Sequence, residues 1–223
     1  MWNCRIASPS IYQSGSREVR MSGSQTIFKQ KSAMKSVFIF LSLCLIIISS
    51  TYSQKFESLD KSPMDMVYYP DNYAHDRKFA PQLIGQDTAL VRIIYSRPSK
   101  KDREIFGKLI PYGKVWRTGA NEAPELKVYR DLTLGGQQIK AGTYALLTIP
   151  DSSEWTIILS SDLDQWGAYS YSENKDVLRF KIPVKQTDQV IENFSIRFKK
   201  KDANMAVMHL AWDRTLVEIP LGL

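Results

Sequence analysis

Apolar and polar side chains alternate with a period of two through most of the chain after residue 88. At 177–182, Leu178, Phe180 and Ile182 share one face and Arg179 and Lys181 the other, and 194–199 repeats the pattern. Runs rich in β-branched or aromatic residues at 90–95, 126–130, 132–134, 142–149 and 155–159 are separated by Pro, Gly, Asp or Ser. Runs at 207–212 and 216–219 read as a closing hairpin. Period-two alternation gives each strand one buried and one wet face, as in antiparallel sheets. Eight or more such runs without a long 3.6-period segment predict an all-β fold, an antiparallel β-sandwich of immunoglobulin-like or jelly-roll type. The spacing predicts one short helical turn, at 103–109. Upstream the pattern weakens: residues 54–85 read as an irregular N-terminal segment before a sandwich spanning 86–223. Within it, Pro63 and Pro70 bracket an edge strand and 71–85 reads as loop.

A different pattern occupies the N-terminal quarter. Lys35 precedes an apolar run, 37–48, broken only by Ser42, and small polar residues follow at 49–53. A cationic start, an apolar stretch of this length and small residues before a cut describe a secretory signal peptide at 34–53, too short for a permanent bilayer span of about 20 residues. Cys44 follows Leu43 inside the run, which does not fit a lipoprotein anchor. Residues 1–33 are polar and aperiodic and read as a disordered or wrongly assigned N-terminal extension. The sequence therefore predicts export to the periplasm or cell surface, with membrane contact only through an uncleaved signal segment. Both cysteines, Cys4 and Cys44, precede the mature chain, so no disulfide or cysteine metal site is expected there.

Composition then changes the picture in two ways. With 43% apolar residues, 11 Gly and 10 Pro, the chain is neither disordered nor collagen-like. The net charge of +7 suggests nucleic acid, but six bases and one acid belong to residues 1–53, leaving only +2 on the rest, so no nucleic-acid partner is expected. One local excess stands out. Between residues 92 and 117 lie Arg92, Arg97, Lys100, Lys101, Arg103, Lys108, Lys114 and Arg117 against Asp102 and Glu104. This reads either as an anion-capturing surface or as a solvated basic face.

Three further constellations bear on chemistry. At 111–122 a Tyr112-Gly113-Lys114-Val115-Trp116-Arg117-Thr118-Gly119-Ala120-Asn121-Glu122 loop collects donors and acceptors. Trp116 would stack on a sugar while Arg117, Asn121 and Glu122 read hydroxyls or a carboxylate. Alternatively, Trp116 plugs the sandwich end, Arg117 pairs with Glu122 and Asn121 satisfies the turn. At 162–173, Asp162, Asp164, Gly167 and Glu173 approach calcium-loop spacing, but Trp166 stands where an oxygen ligand belongs. The acids then read as solvent-facing, with Trp166 and Tyr169 covering the edge of the core. His75 and His209 form no paired zinc motif, and no phosphate loop, dinucleotide fingerprint or nucleophile elbow is present, so neither metal nor cofactor is expected. His209 alternates with apolar residues and reads as structural.

Tyr95-Ser96-Arg97-Pro98-Ser99, Ile105-Phe106-Gly107, the 111–122 block, Ala141-Gly142-Thr143-Tyr144 and Gln165-Trp166-Gly167-Ala168-Tyr169 together resemble the domain-of-unknown-function 2911 family (DUF2911), exported bacterial proteins typical of Bacteroidetes. The resemblance covers about residues 60 to 223, and the Trp116–Glu122 block is its most specific part. It implies a signal peptide and a periplasmic or surface-exposed domain, and carries no reaction, cofactor or catalytic residue. The sequence thus points to a non-catalytic envelope binding module for an anionic or carbohydrate ligand, with Arg97, Trp116, Arg117, Thr118, Asn121, Glu122, Trp166 and Tyr169 as binding candidates. Two other readings stand beside it: an envelope-polymer hydrolase using Glu122 with a second carboxylate, and a structural module contacting an envelope protein.

Overall fold

In the computed structural model, residues 30–31, 34–39, 56–84 and 88–223 are described, and the chain divides into two units, Met1–Glu57 and Ser58–Leu223. In the first unit, 30–31 and 34–39 are helical, and most of the 34–53 leader lies outside the described residues. No helix among the described residues is long and apolar enough to cross a membrane.

The second unit is built from nine strands: β1 (Met64–Tyr69), β2 (Val91–Ser96), β3 (Glu125–Val128), β4 (Leu132–Leu134), β5 (Gln137–Ile139), β6 (Gly142–Ile149), β7 (Glu154–Ser160), β8 (Asp176–Lys200) and β9 (Met205–Gly222). They form one antiparallel sheet in the order β1-β2-β3-β6-β7-β8-β9-β4-β5. The all-β, sandwich-like class is the one that the alternation indicates. The sheet folds over through β8: its first part pairs with β7 (Trp155↔Ile182), and from Val184 onward it pairs with β9 (Ser195↔Ala211). Register shifts between Gln186 and Ser195 let it bend between the two partners.

Four elements differ from the sequence expectations. Strands β8 and β9 are each continuous, and the predicted hairpin at 207–219 is absent. Buried positions along β9 run Ala206, Met208, Leu210, Trp212 and then Val217, Ile219, Leu221, so the alternation changes phase. Asp213, with φ 55°, sits in the irregular stretch opposite Ile191 and absorbs the extra residue. The sandwich begins at β1, which pairs with β2 from Met64↔Ser96 to Tyr69↔Val91, and not at residue 86. Residues 71–85 hold two short helices in place of a loop, α1 (Tyr73–Phe79) and α2 (Pro81–Ile84); α1 buries no residue, so it carries no apolar stripe to read. Conversely, 103–109 is a set of turns rather than a helix, interrupted by Gly107 at φ 93°.

Cross-layer ties centre on Tyr95 and Phe194. The Tyr95 hydroxyl accepts from the Ile196 N–H at 3.0 Å and donates to the Ile196 carbonyl at 3.2 Å, placing a buried side chain in the backbone ladder of β8. Burial, more than any neighbour, pushes the Tyr95 hydroxyl pKa up, which keeps it protonated as that donor. Phe194 lies edge-on to Tyr95, with centroids 5.8 Å apart. Just beyond β2, the Phe194 N–H donates to Pro98 O at 3.0 Å and the Lys100 N–H to Glu192 O at 2.7 Å, so β8 is flanked by chain on both edges. Removing the fully buried ring in Phe194→Ala should cost about 3–5 kcal/mol, and deleting one hydroxyl in Tyr95→Phe about 1–3 kcal/mol, both read from urea unfolding of the full chain.

His209 on β9 is half-buried and faces Glu218, Nε2 to Oε1 3.8 Å; Glu218 also pairs with Lys185. Burial holds the His209 pKa down, and the Lys185 hydrogen bond holds the Glu218 carboxyl below its usual value. Both shifts leave the folded state with fewer bound protons than the unfolded chain, so stability rises with pH. It should therefore fall as pH drops below about 6.5, the unfolded histidine value, and fall further through the carboxylate range. His209→Gln should flatten the first limb and keep the second, as measured by urea midpoints across pH.

Candidate functional site

The outer face of the central strands fixes the two candidate loops. Ala145, Leu147 and Ile158 point away from the main core, and Val115, Ala123, Leu163, Ala168 and Tyr171 cover them. Where β3 ends, the first loop takes over the edge of β6: Leu146 N–H donates to Pro124 O at 2.9 Å, and Trp116 and Thr148 exchange N–H···O bonds of 2.7 and 2.9 Å. The second loop docks on the first through Gly167 N–H to Asn121 O and Ala123 N–H to Gln165 O, at 2.9 and 3.0 Å. Both stretches are thus held by backbone bonds as well as by apolar contact.

Their side chains divide among three environments. Trp116 is only 5% exposed, stacked on Trp212 at 6.0 Å and edge-on to Trp155, Phe106 and Phe194. It occupies the interior, which overturns the sugar-stacking reading. Thr118 is fully buried, its hydroxyl bonded to Thr148 Oγ1 at 3.1 Å, and cannot touch a ligand. Arg97 is committed to the fold: its guanidinium reaches Asp65 on β1 at 3.0 Å, Phe194 O at 3.2 Å and Ser195 Oγ at 3.0 Å on β8. The predicted Arg117–Glu122 ion pair is not present among the described residues.

Arg117 and Asn121 instead line a cleft of about 610 Å³. Its walls come from three segments: Lys61 and Ser62 before β1, Pro98 to Arg103 after β2, and Arg117 to Asn121; Leu109, Ile110 and Trp212 supply apolar surface. Four cations, Lys61, Lys101, Arg103 and Arg117, face this space, and no carboxylate lines it. Ion pairing elsewhere is the rule for the buttressing cations: Arg92 with Glu125, Arg97 with Asp65, Arg179 with Asp176. None of the four cleft cations has such a partner among the described residues. Arg103 is oriented by bonds to the Lys100 and Ser99 carbonyls, while Arg117 Nε is buried with no hydrogen-bond partner. Lys101 and Arg103 belong to the basic excess read from the sequence, whereas Lys61 had no place in it, since it lies 56 positions before Arg117 and only the fold joins them.

Glu122 lies on the other side of the docked loops. It is exposed and lines a separate hollow of about 260 Å³ with Glu125 and Asp164. Glu125 is held there by Arg92, 3.1 Å away. Trp166, directly opposite Glu122 in the backbone pairing, is 61% exposed, and Tyr169 is 89% exposed. Both stand in solvent and do not cover the core edge. Asp162 accepts from Gln165 Nε2 at 3.0 Å, and among the described residues no group of His, Cys, Asp or Glu is arranged to hold a metal ion. The sequence candidates therefore do not converge: two join a cationic cleft, three are used by the fold, and three stand beside an acidic hollow or in solvent.

Neither the curated proteins nor the solved structures contain a match to this chain. Residues 79–221, from the end of α1 to the last residues of β9, match the model described as protein of unknown function DUF2911, and the chain belongs to that family.

Proposed function

We propose that this is an exported cell-envelope protein whose sandwich-like domain is a non-catalytic module binding an anionic or carbohydrate ligand in the Lys61–Lys101–Arg103–Arg117 cleft. Export rests on the cationic start, the apolar run at 37–48 and the small residues that follow. Binding rests on one observation above all: four cations, none paired with a carboxylate among the described residues, around one concavity with no carboxylate among its lining residues. Like charges gathered this way repel each other, and a bound anion relieves that repulsion. Arg117 adds a second incentive. A buried N–H without an acceptor costs on the order of 1–3 kcal/mol, so the Arg117 guanidinium, unlike that of Arg97, is not committed to partners within the fold. Among the described residues, the other buried side-chain atoms without partners, on Arg92, Trp155, Gln165 and Asp176, belong to residues that do not line this cleft.

Calorimetric titration of the full chain with phosphorylated, uronic-acid and neutral glycans tests the reading. Charged glycans should bind more tightly than neutral ones, and more weakly at about 0.5 M than at about 0.05 M salt. Arg117→Met keeps the aliphatic stem and removes the unpaired N–H; it should weaken binding at least about tenfold while leaving the thermal midpoint unchanged or raised. Silence of both proteins toward the whole panel would overturn the proposal.

A further inference from the structure

We infer that the charged group taken by this cleft is a phosphomonoester rather than a carboxylate, with the Arg117 guanidinium as its principal contact. The inference rests on the anion-binding reading above and narrows it.

A carboxylate offers two coplanar oxygens and one negative charge, which one arginine fork saturates. Here the donors stand on three walls that come from separate stretches of chain, at Lys61–Ser62, at Lys101 and Arg103, and at Arg117–Asn121. A phosphomonoester presents three terminal oxygens in diverging directions and a charge approaching −2 at neutral pH, and so can meet all three walls at once. Thr118 and Asn121 both have left-handed φ, 57° and 60°, and between them the chain bends without closing a hydrogen-bonded turn. Gly119 and Ala120, inside that bend, line the cleft.

The cleft's ionisable lining is Lys61, Lys101, Arg103 and Arg117, with no histidine. Glu192 lies behind one wall, accepting the Lys101 N–H at 2.8 Å, and is not part of the lining. With no histidine in the lining, the pH 5 to pH 8 contrast between phosphate and sulfate esters, which share the same protein background, reports the ligand's own second ionisation, near pH 6.

The test is isothermal titration of the full chain with glucose 6-phosphate, glucose 6-sulfate and glucuronate. Glucose 6-phosphate should bind at pH 8 at least about tenfold more tightly than either of the others, and should lose most of that advantage at pH 5. Glucose 6-sulfate keeps the three diverging oxygens with a single charge, so equal binding of sulfate and phosphate would overturn the inference. Glucuronate binding as tightly as phosphate would also overturn it while leaving the anion-binding reading intact; silence from all three would remove both. Arg117→Lys retains the charge without the fork and should forfeit at least about tenfold in phosphate affinity, and unchanged affinity would overturn the assignment to Arg117. Should that variant fail to fold, Lys101→Gly removes a cleft charge at a residue whose φ of 52° suits glycine, and it should also weaken phosphate binding. Vesicles of phosphatidic acid in phosphatidylcholine, run beside the soluble sugar phosphate, identify whether the phosphomonoester is lipid-borne or free.

Discussion

Trp116 lies among Phe106, Trp155, Phe194 and Trp212 while its backbone pairs with Thr148, so the loop that carries Arg117 is anchored in the interior one residue before it reaches the cleft. Aromatic contacts of this kind each add about 0.5–1.5 kcal/mol beyond area burial. Because Trp212 both stacks on Trp116 and lines the cleft, the cavity wall and the core are the same packing. Thr118 extends the anchor through its hydroxyl bond to Thr148. The site is thus held by a rigid interior even though its charged ends face solvent.

That arrangement sorts five of the eight basic residues of the 92–117 stretch into two kinds, with Lys100, Lys108 and Lys114 in neither. Arg92 and Arg97 are spent on Glu125 and Asp65 and join neighbouring strands; Lys101, Arg103 and Arg117 face the cleft, where Lys61 arrives from the segment before β1. The half-buried guanidinium of Arg97 fixes geometry by bonding at once to Asp65, Phe194 O and Ser195 Oγ. It ties β1, β2 and β8 together and so holds the segment that delivers Lys61.

Much of the fold was legible because burial on one face of a strand writes itself into every second residue, as in Leu178, Phe180 and Ile182. It stopped being legible where that link fails. In β9 the phase change around Asp213 looks like a break between strands, although the partner strand runs on opposite it. In α1 nothing is buried, so no stripe exists to be seen. The site was half legible for a related reason. The excess of bases near Arg117 is a local property of the chain, whereas the arrival of Lys61 and the departure of Glu122 to the far side depend on the pairing of the two loops. Trp116 was ambiguous in principle, since an indole that stacks on a ligand and one that fills a core have the same sequence neighbours.

β8 belongs to both parts of the folded-over sheet, pairing first with β7 and then with β9 along 25 continuous residues. A covalent beam shared in this way couples the two parts mechanically. Tension on either is carried along the beam's backbone into the other, where the hydrogen bonds of the second ladder resist together in shear. Among the described residues, the two parts of the folded-over sheet share one strand and so cannot separate without breaking its own ladders.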